Sequence, residues 1–191
     1  MRLEKFRIPV VDFIFRAEGQ FVTLNSIDIF GGKRSVLFSL PGAFTPTCSD
    51  YQLPGFEEKY QIIKKHNIDE VYCISVNDIF VMNAWAKELG IEKVVLLPDG
   101  NASFTRSMGQ LVSKSNIGLG ERSWRYAAII DDGVIEKLFI EKIKKHDSTE
   151  DPYEETRPEK ILNYLSGFDE DSLDQLREQR DRFPHEPLTR I

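Results

Sequence analysis

Apolar and polar positions change period several times along the chain, and each change marks an element. Segments 10–15 and 20–30 carry short apolar runs punctuated by Gly19 and Gly31-Gly32, which predicts two short strands. Ser35 to Leu40 is a nearly continuous apolar run closed by Pro41-Gly42, the pattern of a buried strand. From about Cys48 to Lys65 the period lengthens to that of a helix. Phe56, Tyr60 and Ile63 fall on one face, and Pro54 is expected to kink it because proline removes a backbone donor. Val71–Val76 predicts a second buried strand. Asp78 then caps a helix whose face carries Ile79, Met82, Ala86 and Leu89 and which Gly90 ends. Val94–Leu97 reads as a third strand, Pro98-Asp99-Gly100 as a turn, and the stretch with Phe104 and Met108 as a short helix. Ser113–Ser123 is polar and glycine-bearing and reads as a loop. Tyr126–Ile130 and Val134–Ile140 flank Asp131-Asp132-Gly133, a strong hairpin signal. Thr156-x-x-Glu159 has capping-box spacing and opens a helix through Leu165.

The order is β-α-β-α-β-α, then a hairpin, then a helix. Alternating units predict an α/β layer with parallel strands, and the late hairpin adds antiparallel edge strands. This fits a thioredoxin-like fold: a central mixed sheet flanked by helices, with an N-terminal β-hairpin. The domain is expected to span residues 1–166. Residues 167–191 hold seven acidic and four basic residues, a net of -3, and Ser172-x-x-Gln175 can cap a short helix bearing Leu173 and Leu176. The apolar stripe is thin, which favours a charged tail over a docking segment.

Composition narrows the function. The 191 residues carry 31 acidic and 25 basic side chains, a net of -6. Lys142, Lys144 and Lys145 form the densest basic stretch and are followed at once by acidic residues, so no nucleic-acid surface is expected. No stretch approaches the roughly 20 apolar residues of a membrane helix, and the N-terminus lacks a signal-peptide pattern. A cytoplasmic protein with free thiols is expected. There are two cysteines, Cys48 and Cys73, in no CxxC pair and no zinc-ligand spacing. His66, His146 and His185 lie far apart, Gly118-x-Gly120 is no complete dinucleotide loop, and a GxSxG elbow is absent. No metal and no cofactor are expected. Glu57 and Glu58 read as solvated helix residues. Sulfur chemistry here would start from one thiol.

The informative run is Pro41-Gly42-Ala43-Phe44-Thr45-Pro46-Thr47-Cys48-Ser49-Asp50. Cys48 stands where loop becomes helix. Unpaired N–H groups at a helix start stabilise an anion, which is expected to lower the thiol below its usual pKa of about 8.5. Cys48 can be a small packed residue or a nucleophile, and the polar, proline-braced turn favours the nucleophile. Thr45 can serve as a turn residue or hold a small polar substrate through its hydroxyl. Arg125, on the face shared with Ala127 and Ile129 if 124–130 is a strand, needs an anionic partner or an exposed end. By itself it reads as a surface ion pair. Cys73 lies mid-strand and reads as core.

Pro41-x-x-x-Thr45-x-x-Cys48 resembles the active-site motif of the peroxiredoxins. The string PGAFTPTCS is similar to the Prx5 subfamily, including bacterial peroxiredoxin domains that can be fused to glutaredoxin. The likeness extends through VYCISVND, LLPDGNASFTRSMG, RSWRYA and DDGVIEKLFIE, covering most of residues 3–165. It implies a thiol peroxidase acting on hydrogen peroxide and organic hydroperoxides. Cys48 would be the peroxidatic cysteine, oxidised to a sulfenic acid. Thr45 would hold the peroxide, Pro41 would shield the pocket, and the backbone N–H groups of Thr47 and Cys48 would contact substrate. The family's arginine beside the thiolate matches Arg125, with Arg122 a weaker candidate. The later cysteine of two-cysteine members is missing, so the resemblance implies a one-cysteine enzyme recycled by glutathione and glutaredoxin, or by thioredoxin. It also implies a homodimer formed through loops near the site. A peroxide sensor or redox-regulated chaperone using the same cysteine is the alternative.

Overall fold

The computed structural model describes residues 5–167. The tail expected over 167–191 lies, but for Gly167, outside the described residues. Five strands form the central sheet: β3 (Arg34–Ser39), β4 (Glu70–Ser75), β5 (Val95–Pro98), β8 (Tyr126–Asp131) and β9 (Val134–Ile140), in the order β5-β4-β3-β8-β9. The three strands β3, β4 and β5 run parallel. β8 pairs antiparallel with both β3 and β9, so the sheet is mixed. β1 (Asp12–Ala17) and β2 (Gln20–Asn25) form the N-terminal hairpin. Among the described residues no helix is long and apolar enough to cross a membrane.

Strand periodicity sorts the apolar residues onto two faces. Val36, Phe38, Val71, Cys73, Ala127 and Ile129 point to one side, where α2 (Leu53–Lys64), α3 (Ile79–Leu89) and α5 (Pro158–Leu165) cover them. Phe38 stacks on Phe56 of α2 with ring centroids 3.9 Å apart. Leu37, Tyr72, Ile74, Tyr126, Ala128 and Ile130 point to the other side, beneath the hairpin, α1 (Ser26–Phe30) and α4 (Ser103–Ser107). A sheet buried on both faces explains why its strands read as apolar runs.

Four local readings change. Residues 26–30 are helix rather than strand, because Asn25 accepts from the amides of Ile27 and Asp28 while Asp28 accepts from the Asn25 amide. The Ser113–Ser123 loop is itself bounded by paired strands, β6 (Leu111–Ser113) and β7 (Glu121–Ser123). Pro54 kinks nothing inside α2. It sits in that helix's first turn, and the irregularity lies before it as a π-helical turn, Cys48–Gln52. Thr156 does not cap α5: its hydroxyl donates to Glu141 at 2.8 Å, and Arg157 occupies the cap position. Asp78 and Gly90 bound α3 as expected, with Asp78 accepting from Phe80 and Val81 and Gly90 in the left-handed region at φ 65°.

Candidate active site

The loop after β3 is buried at Pro41 and Gly42 and anchored on both sides. Ala43 donates its amide to Asn77 Oδ1 at 3.0 Å, and Ser75 at the end of β4 donates to the same oxygen at 2.7 Å. Thr45 Oγ1 donates to the Gly42 carbonyl at 2.8 Å. Phe44 adopts φ 63°, a strained conformation for a bulky residue, and its ring is exposed. Ser49 then donates to the Thr45 carbonyl at 3.0 Å, so the amides of Thr47 and Cys48 lie in the first turn, where helical geometry supplies no acceptor. In the π turn, Cys48 and Gln52 both face inward and are fully buried.

Arg125 reaches this point from the strand end before β8. It is 1% exposed, so its surface-pair reading is replaced by a buried one. Its Nη1 donates to Cys48 Sγ at 3.5 Å and to Gln52 Oε1. Its Nη2 donates to Asp151, and its Nε to the Pro152 carbonyl at 3.0 Å. Burial works against the guanidinium charge, but Cys48 and Asp151 outweigh it and hold the group protonated. The Tyr153 ring lies 5.6 Å away. The amide nitrogen Nε2 of Gln52 is buried and has no partner among the described residues.

Asp151 and Pro152 belong to a strap that crosses the site and is fixed at both ends. The buried Lys114 ammonium donates to the carbonyls of Ser148 at 2.7 Å and Glu150 at 3.2 Å. Glu141 Oε1, also buried, accepts from the amides of Glu154 and Thr156, each at 2.9 Å. A cleft of about 430 Å³ lies beside this loop, lined by Pro41, Thr45 and Thr47 and bounded by Phe44, Ile117, Leu119 and Asp151.

Cys48, Thr45, Pro41, Thr47 and Arg125 are therefore gathered at one place. Arg122 lies beside Gly42 of the loop but bonds other groups: it donates to the carbonyls of Val76 at 2.7 Å and Leu119 at 2.9 Å. Cys73 is wholly buried in β4, and burial pushes its thiol well up, with the nearby Cys48 adding to the effect. Glu57 is a structural acceptor rather than a solvated residue, taking the amides of Glu92, Lys93 and Val94. Gln52, Asp151, Glu141 and Lys114 escaped the sequence reading. Of these only Gln52 left a signal, its spacing of one helical turn from Cys48.

Residues 7–156 match the Redoxin family. The chain is 51% identical over 174 residues to peroxiredoxin y4vD of Sinorhizobium fredii, covering 86% of this chain and 93% of that protein. It is 41% identical to hybrid peroxiredoxin hyPrx5 of Haemophilus influenzae, covering 86% of this chain and 66% of that one. The crystal structure of Plasmodium falciparum antioxidant protein, a 1-Cys peroxiredoxin, superposes with a TM-score of 0.83 at 40% identity, covering 87% and 99%.

Proposed function

The chain belongs to the Redoxin family as a Prx5-like peroxiredoxin, and from that premise we propose that Cys48 is its peroxidatic cysteine in a one-cysteine cycle. As a peroxiredoxin, the chain is a thiol peroxidase. The observation that carries it is the Cys48 sulfur lying against the buried Arg125 guanidinium at 3.5 Å, beside the Thr45 hydroxyl loop.

In this reading the Cys48 thiolate attacks one peroxide oxygen and the O–O bond breaks. The second oxygen leaves as water or alcohol after taking a proton, and the sulfur is oxidised to sulfenic acid. Arg125 stabilises the thiolate and the charge spread over both oxygens in the transition state. Thr45 and the amides of Thr47 and Cys48 hold the peroxide, and Pro41 keeps water from the sulfur. One thiol then condenses with the sulfenic acid to a mixed disulfide and releases water. A second thiol reduces that disulfide.

Cys73 is a poor candidate for this second step, because its thiol is buried and held protonated. An external thiol is therefore required. Glutathione with glutaredoxin is favoured over thioredoxin by the likeness to fused peroxiredoxin domains. Exposed Phe44 and Ile117 at the cleft rim support a homodimer formed near the site. A reducing, cytoplasmic setting suits the cycle.

Steady-state peroxide loss with glutathione and glutaredoxin supplied tests the reading. Cys48→Ser should abolish turnover, and Cys73→Ser should retain most of it. Full activity in Cys48→Ser would overturn the assignment.

A further inference from the structure

Asp151 takes no part in the peroxidase cycle, yet its carboxylate shares one guanidinium with Cys48 and also lines the cleft beside Pro41, Thr45 and Thr47. Its side chain is 35% exposed, whereas that of Arg125 is 1% exposed. The cleft's other ionisable lining residue, Lys114, is 3% exposed, with its ammonium on two backbone carbonyls and 5.5 Å from the Trp124 ring centroid. The remaining wall is largely apolar: Pro41, Phe44, Pro46, Ile117 and Leu119. Low-polarity walls screen a charge weakly and focus its field along the cleft.

Resting on the peroxidase reading, we propose that Asp151 is a specificity-determining residue that selects neutral hydroperoxides over anionic ones. With Cys48 as the thiolate, Arg125 sets one positive charge against the two negative charges of Cys48 and Asp151, and the guanidinium itself is buried, so the cluster presents a net negative charge to an incoming anion. Within this cleft the charge such a substrate meets first is the Asp151 carboxylate, because the Lys114 ammonium is buried on backbone carbonyls. A neutral hydroperoxide meets the same polar contacts at Thr45 and Thr47 without that repulsion.

The test compares two peroxides with the same reacting group: cumene hydroperoxide and its para-carboxylate. Second-order rate constants for oxidation of Cys48 are measured in low salt and in 0.5 M salt. Asp151→Asn keeps an acceptor for Arg125 Nη2 and removes the charge. It should raise the carboxylate-to-neutral rate ratio about three- to tenfold in low salt, with the gain shrinking in high salt. Asp151→Glu, which keeps the charge, should leave the ratio within about twofold of the parent. An unchanged ratio in Asp151→Asn, or a gain that salt does not reduce, overturns the proposal. If the parent protein consumed neither hydroperoxide, the peroxidase reading would fall and this inference with it, a result distinct from an unchanged ratio.

Discussion

Arg125 is where charge, shape and burial meet. A planar fork can serve Cys48 and Gln52 from one nitrogen, Asp151 from the next and Pro152 from the third. Lysine carries the same charge at a single point and cannot span those partners. In the proposed reaction, Arg125→Lys should lower the rate constant with peroxide by about 10²- to 10³-fold, the range found when one preorganised donor is removed. Stopped-flow tryptophan fluorescence can follow it, since Trp85 Nε1 donates to Ser49 beside Cys48 at 3.0 Å. A rate within a few-fold of the parent would leave Arg125 as a tether only. Cys48, Thr45 and Pro41 could be read directly because they stand in one short string. Arg125 needed the family resemblance. Its own chemistry pointed to the surface, because the partners that justify its burial lie 73 and 26 positions away.

At the level of elements, the central strands and α3 were legible because period and caps agreed. Local pattern and structure part where another acceptor takes the donor. Thr156 has capping-box spacing, but the buried Glu141 carboxylate is the stronger acceptor and takes both its amide and its hydroxyl. Residues 26–30 alternate like a strand, but the reciprocal Asn25–Asp28 bonds start a helix. The β3–β9 clasp was invisible because its partners are 102 positions apart: Arg34 Nε and Nη2 donate to Glu136 at 2.8 and 2.7 Å. Hydrogen bonding from Arg34 holds the Glu136 carboxyl below the ordinary carboxylate range, although partial burial opposes this. A depressed folded pKa gives stability that is present above the unfolded value and lost as pH falls through the folded one. Both side chains are about a quarter to a third exposed, so the contribution is about 0.5–1 kcal/mol. Glu136→Gln should therefore lower the urea midpoint at pH 7 and differ little from the parent near pH 3. An equal loss at both pH values would assign the effect to packing instead.

Across the whole molecule, the site is closed by a strap that arrives after the last strand of the sheet. Cys48 follows β3, Arg125 precedes β8, and Asp151 and Pro152 come between β9 and α5. Their geometry therefore depends on the complete sheet and on what fixes the strap. Lys114 holds one end through the Ser148 and Glu150 carbonyls. Glu141 holds the other and is itself tied to the sheet, with its amide on the Arg125 carbonyl at 3.2 Å and its carbonyl accepting from Trp124 Nε1 at 2.8 Å. Glu141→Gln keeps the shape and one acceptor oxygen but removes the charge that three donors share. Hydrogen bonds to a charged group contribute more than neutral ones, so the change should cost about 1–2 kcal/mol. Because the same strap supplies two of Arg125's partners, the loosening should reach the sulfur. Amides from Asp151 to Thr156 should exchange faster with solvent, and the rate of Cys48 oxidation should fall about five- to tenfold while the core strands keep their protection. Faster strap exchange with an unchanged oxidation rate would show that Arg125 holds its place through Gln52 and Cys48 alone.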